Sequence, residues 1–255
     1  MKLGIALAGG GIRGIAHAGV LKALEENNIK IDVIGGTSSG GIIAALYAIG
    51  YSPYYIYELF KRYAKDITSN RAEKTFDQIA ENKGIRTIKD IKMPIAIPTV
   101  DIINTNKYIF TNKPPKRNSY KYIEDISIGK AMKATSCFPG VFKPIKYKEH
   151  MFLDGGILDN VPSQEVRKLG ATKVISVNFK ADKIDENSNM MDIIMKTLDC
   201  MGNKISEESL KTSDFLLTVP TDKTGLLDIK KLDSCYQYGY ESVINNLEEI
   251  KRNIY

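Results

Sequence analysis

Two short apolar runs, each stopped by glycine and each followed by a helical pattern, limit what this chain can fold into more than any other feature. The first, Lys2–Ala8, ends at Gly9, Gly10 and Gly11, and after it Ile15, Val20, Leu21 and Leu24 fall at helical spacing up to Asn27. The second, Ile31–Ile34, runs into Gly35 and Gly36, and a helix over Gly40–Ile49 follows, closed by Gly50. A strand without polar alternation is buried on both faces, the environment of a parallel sheet covered by helices on each side. Strand, tight turn and helix, twice over, therefore predict right-handed crossovers and an α/β fold with a mainly parallel central sheet.

The same alternation continues. The spacing predicts helices over Pro53–Lys65, with Ser52 as its N-cap, Glu73–Lys83, Ser127–Ser136, Pro162–Leu169, Met190–Met201 and Cys235–Ile250. Strands are expected at Pro94–Asp101, Lys107–Phe110, Met151–Leu153, Lys173–Asn178 and Phe215–Val219, and 111–120 reads as a loop. A chain of 255 residues, 43% apolar, suits one domain, with 51–125, rich in aromatics and proline-broken loops, expected as a cap over a site. The formal charge of +6 comes from scattered lysines with no nucleic-acid-binding motif, so it predicts a solvated basic surface and no nucleic acid partner. Cys137, Cys200 and Cys235 lie far apart, which points to reduced thiols, no metal site and a cytoplasmic protein. No run reaches the roughly 18 apolar residues of a membrane span, and the N-terminal apolar segment reads as a strand, not a leader.

Gly9, Gly11 and Gly14 fit G-x-G-x-x-G, so a dinucleotide-binding oxidoreductase has to be weighed. That fold needs an acid at the end of the second strand, and Asp32 precedes the run instead. Read differently, consecutive glycines supply backbone amides that converge on an anion, with Arg13 adding positive charge, either by touching the substrate or by locking the loop. Gly36-Thr37-Ser38-Ser39-Gly40 is G-x-S-x-G between strand and helix, the setting in which the central serine is a nucleophile on a tight turn and glycines are needed where backbones touch. A serine needs a base. His17, inside the first helix, reads as structural, and His150 has no acid placed to orient it. Asp154 leaves a strand just before Gly155 and Gly156, where a buried carboxylate can act as base, although Asp-Gly alone also reads as a turn.

GGGIRG at 9–14, GTSSG at 36–40 and DGG at 154–156, in this order, together with ATSCFPGVFKPI and FLDGGILDNVP, resemble the patatin-like phospholipase family, in the manner of its small bacterial members. The resemblance runs from about Leu3 to Asn178. It implies a three-layer α/β/α fold and a serine acyl hydrolase acting on phospholipid or lysophospholipid esters. Ser38 would be the nucleophile, Asp154 the base and the amides of Gly10 and Gly11 the oxyanion hole, with Gly9, Gly14, Gly36, Gly40, Gly155 and Gly156 shaping the loops. No metal and no organic cofactor is implied. The partner would be an acyl lipid, with peripheral contact at a membrane surface. A non-catalytic protein that binds lipid or a partner on the same fold is the alternative; covalent labelling of the serine separates the two.

Overall fold

The two apolar runs lie side by side. In the computed structural model, which describes residues 1–67, 69–115, 121–180, 190–221, 224 and 228–255, β1 (Leu3–Leu7) is followed by α1 (Ala16–Glu26), β2 (Val33–Gly36) and α2 (Ser39–Ile49). Parallel pairing matches Gly4 with Val33 and Leu7 with Gly36, and every residue of both strands is buried. β2 thus sits two residues later than expected and takes both glycines into the ladder. Their missing side chains leave the space that neighbours fill: a Cβ on Gly35 would lie 2.7 Å from a Val166 methyl.

There follow α3 (Pro53–Ile67), α4 (Ala72–Glu81), β3 (Ile95–Asp101), β4 (Asn106–Phe110), β5 (Tyr122–Ile123), α5 (Ile128–Thr135), β6 (Ile145–Tyr147) and β7 (His150–Asp154). The chain continues through α6 (Ser163–Lys168), β8 (Lys173–Phe179), α7 (Met190–Leu210), β9 (Phe215–Val219), α8 (Leu232–Asn245) and α9 (Leu247–Ile254). Ser52 and Ser127 cap α3 and α5 by accepting the amides of Tyr55 and Lys130 at 3.3 Å each. β5 and β6 were not expected, being too short to show a period. α7 runs past Met201 because Gly202 packs its bare backbone on Gly156 instead of ending the helix. The expected closing helix breaks at Asn246.

Among the described residues the sheet runs β5-β4-β3-β2-β1-β8-β9, with β1, β2, β3, β8 and β9 parallel along it and the β6–β7 hairpin attached to β3. α6 packs on β1, β2, β3 and β8, with α7 beyond it, while α2 packs on β2 and β3, α5 on β3 and β7, and α8 on β9 and α1. From β1 the chain winds outward to β3, then returns to β8 on the far side of β1. Such a reversal opens a crevice at the carboxyl ends of the strands, where α/β sheets bind ligands. Of the stretch 51–125, residues 95–101 form a central strand and α3 packs on α1 and α2. No helix among the described residues is long and apolar enough to cross a membrane.

Candidate active site

Ser38 joins the carboxyl end of β2 to α2 with φ 54° and ψ −125°. A non-glycine residue in that region carries about 1–3 kcal/mol of strain and persists only where its surroundings hold it. They do so here. The Ser38 amide donates to Thr135 Oγ1 (3.0 Å), whose hydroxyl donates to the Pro98 carbonyl (2.6 Å). The Thr37 amide donates to the Leu7 carbonyl (3.1 Å) and its hydroxyl to the Asp159 carbonyl (2.7 Å). The flanking glycines are obligatory: a Cβ would lie 2.2 Å from the Gly40 carbonyl oxygen if added at Gly36, and 2.4 Å from that of Leu7 if added at Gly40. Half-buried Ser38 therefore stands at the head of α2, whose first amides carry the positive end of the helix dipole.

The glycine loop leaves β1 beside it. The Gly9 amide donates to Asn160 Oδ1 (3.1 Å) and the Gly10 amide to Ser39 Oγ (3.2 Å), while Gly11 takes a left-handed φ of 58°. Of the two amides expected at an oxyanion, that of Gly10 is thus engaged within the protein. Gly14 meets Ser39, with its notional Cβ only 2.2 Å from the hydroxyl oxygen. Arg13 is buried; its Nε donates to the Gly10 carbonyl (3.2 Å) and its guanidinium lies 5.6 Å from the Phe179 ring centre. It holds the loop and does not line the pocket.

β3 brings Asp154 to the same place. Its edge facing away from β4 pairs first with β2, Ile34 with Ile95 and Gly35 with Ala96, and then with β7, Thr99 with Asp154. The end of β7 therefore comes down onto the end of β2. Asp154 is 3% exposed, its amide donates to the Cys137 carbonyl (3.0 Å), and its Oδ1 accepts the Gly156 amide (2.8 Å). Gly155 passes so close to Pro98 that a Cβ would meet its carbonyl oxygen at 2.3 Å. Ser38 and Asp154 line one pocket that is open to solvent. The polar floor is Gly9–Gly11, Ser38, Asp154 and Asn160; the walls are apolar, among them Ile42, Phe60, Ile67, Phe138, Val141 and Phe142.

Neither histidine reaches the serine. His17 is fully buried, its Nε2 is 2.8 Å from the Ala8 carbonyl, and burial pushes its pKa down to about 4. It is structural, as expected. His150 does have an orienting acid, against expectation: its Nδ1 is 2.9 Å from Asp101 Oδ2, a pairing that strand register creates and sequence spacing hides. The pair sits at the opposite end of β7 from Asp154, four residues or roughly 13 Å away along the strand. Burial would raise the Asp101 pKa, but hydrogen bonds from His150, Met151, Asn104 and Ile103 hold it low. Asp32 caps the amino end of the sheet, accepting the Leu3 amide at 2.9 Å, far from where a ribose-binding acid belongs. The sequence reading missed Thr135 and Asn160, which hold the turn and the glycine loop; Asn160 lies within FLDGGILDNVP and Thr135 within ATSCFPGVFKPI.

A family model described as patatin-like phospholipase matches residues 5–166. Lysophospholipase NTE1 of Meyerozyma guilliermondii is 29% identical over 93% of this chain, and that of Debaryomyces hansenii 30% over 93%. Patatin-like phospholipase domain-containing protein 6 of Pongo abelii is 26% identical over 94%. The chain spans only 19%, 17% and 20% of these relatives, respectively. Among solved structures, VipD from Legionella pneumophila superposes with a TM-score of 0.54 at 11% identity, over 97% of this chain and 66% of that one. ExoU of Pseudomonas aeruginosa, in its complex with SpcU, gives 0.52 at 17% identity, over 100% and 52%. These likenesses show the fold.

Proposed function

The chain belongs to the patatin-like phospholipase family, and from that premise we propose that it hydrolyses the acyl ester of a lysophospholipid-type lipid, with Ser38 as nucleophile and Asp154 as base. The observation that carries this reading is the strained backbone of Ser38, held by Thr135 on a pocket that also contains a buried carboxylate. Strain at a half-buried serine in an apolar pocket has a use if its hydroxyl must be presented to a substrate. The apolar walls suit an acyl chain. α3 is the cover on this reading: Phe60 and Ile67 line the pocket, and the helix is kinked at Tyr63 between them.

As Ser38 Oγ attacks the acyl carbonyl carbon, its proton passes to Asp154. The oxyanion is received by the Gly11 amide and the head of α2, where donors fixed in advance stabilise charge without reorganising. Gly10 joins them when Ser39 Oγ gives up its amide. Collapse breaks the bond to the alcohol, which leaves with the proton from Asp154. Water then attacks the acyl-serine, losing a proton to Asp154, and the second collapse releases the fatty acid and returns that proton to Ser38.

A fluorophosphonate probe and a panel of lysophospholipid, phospholipid and short-chain esters test the reading. Labelling is expected at Ser38, lost in Ser38→Ala and strongly reduced in Asp154→Asn, with turnover in the latter down by about 10²-fold or more. Labelling of folded protein elsewhere, or unimpaired turnover in Asp154→Asn, would remove the dyad.

A further inference from the structure

We infer that the two adjacent hairpin tips above the pocket, Ile102–Thr105 and Lys148–Glu149, form the surface on which this protein docks to an anionic phospholipid bilayer. The inference rests on the acyl-lipid reading for its purpose but on different residues for its evidence. β3 continues past the level of Asp154, which pairs with Thr99, through Val100 to Asp101, so its tip stands roughly 10 Å beyond the site on the carboxyl side of the sheet. β7 is antiparallel to β3 and pairs Phe152 with Asp101, which brings the β6–β7 turn to the same level.

Three large apolar side chains project here. Ile102 is 41% exposed, Ile103 56% and Met151 36%, and the Ile102 amide donates to the Met151 carbonyl (3.0 Å). They are held outward by rigid structure. The buried Asp101 carboxylate accepts the Ile103 and Met151 amides (3.2 and 3.1 Å) and the Asn104 side chain (2.8 Å), and each turn is closed by a left-handed residue, Thr105 or Lys148. A fixed cluster of exposed apolar side chains indicates something to contact.

Charge selects the partner. Lys143, Lys146 and Lys148 are exposed on the same ribbon, none in an ion pair among the described residues, against one exposed acid, Glu149. Aliphatic side chains beside a lysine-bearing ribbon, with Lys146 paired across the strands to Met151, match the edge of an anionic bilayer, where each basic group adds to binding and apolar groups enter the headgroup boundary. The ribbon is also continuous with the site: it leaves the pocket wall at Phe142 and returns at Asp154. Docking would turn the pocket mouth towards the lipid.

The test is co-sedimentation of the full chain with phosphatidylcholine vesicles with and without phosphatidylglycerol, alongside hydrolysis of a water-soluble short-chain ester. Wild type should bind the anionic vesicles and lose affinity with salt. Ile102→Asp/Ile103→Asp, and the milder Ile102→Ser/Ile103→Ser, should weaken binding by about tenfold or more, and Lys146→Ala/Lys148→Ala by roughly fivefold per lysine. Soluble-ester turnover and thermal melting should not change. Anionic-vesicle binding that is missing in wild type, or unaltered in the variants, overturns the proposal. So does a dimer in sedimentation velocity that the aspartates abolish, which would assign the patch to a second copy. Failure of ester turnover with vesicle binding intact would count against the hydrolase reading alone.

Discussion

The amide of Ser38 is held by a hydroxyl 97 positions away, and that hydroxyl is in turn fixed by a backbone carbonyl of β3. One of the side chains that hold the strained turn thus comes from far along the chain, and nothing in the local motif announces it. His17 shows the other use of a buried polar residue. Its imidazole is neutral, with a pKa lowered by burial from 6.5 to about 4, so the unfolded chain binds a proton there that the folded one refuses. The sign follows: this contribution is full above pH 6.5 and is lost as pH falls towards 4. Between pH 7.5 and 5 urea unfolding should show about 2 kcal/mol of pH-dependent destabilisation that His17→Gln lacks.

At the scale of elements, β4 is locked to α6 and to the loop behind the serine by one lysine. Lys107 Nζ lies 2.7 Å from Asp159 and 3.0 Å from Glu165, both carboxylates nearly inaccessible, and Lys168 adds a contact to Glu165 at 2.9 Å. Burial pushes the Asp159 carboxyl up against the pull of Lys107; at Glu165 burial also raises the pKa, but Lys107 and Lys168 outweigh it. The Asp159 carbonyl is the acceptor for Thr37, so the cluster reaches the turn itself. Lys107→Met leaves two buried acids without their shared cation and should cost about 3 kcal/mol, seen as a lower urea midpoint that partly recovers as pH is lowered. The elements themselves were legible where the apolar pattern was long enough. β1, β3, β8 and β9 lie within two residues of expectation, whereas β5 and β6 exist only because β4 and β7 offer them an edge to pair with.

For the whole molecule, the part beyond the family match is built into the same core. β8 and β9 complete the sheet, and α8 packs against α1 so tightly that a Cβ on Gly19 would lie 2.0 Å from the Tyr236 carbonyl oxygen and one on Gly239 1.9 Å from that of Ala16. Leu232, Cys235, Val243, Ile250 and Ile254 are all buried. Deleting 232–255 uncovers α1 and β9 together, so the truncated chain should lose near-ultraviolet circular dichroism and urea cooperativity while keeping helical signal. A truncated chain that still unfolded cooperatively would show that the last helices are an appendage.

The kinds of element and the two tight turns follow from residue order alone, because burial on both faces demands continuous apolar strands and close backbone approach demands glycine at Gly36 and Gly40. Residue order also pointed to Ser38 and Asp154 through motifs that are each short and local. What faces what is a property of the folded sheet. One strand edge receives β2 and then β7, which brings Asp154 over the serine turn, Asp101 beside His150 and two apolar hairpin tips to one level. Pairing between strands is set by register and packing across the whole sheet, and no spacing along the chain encodes it directly.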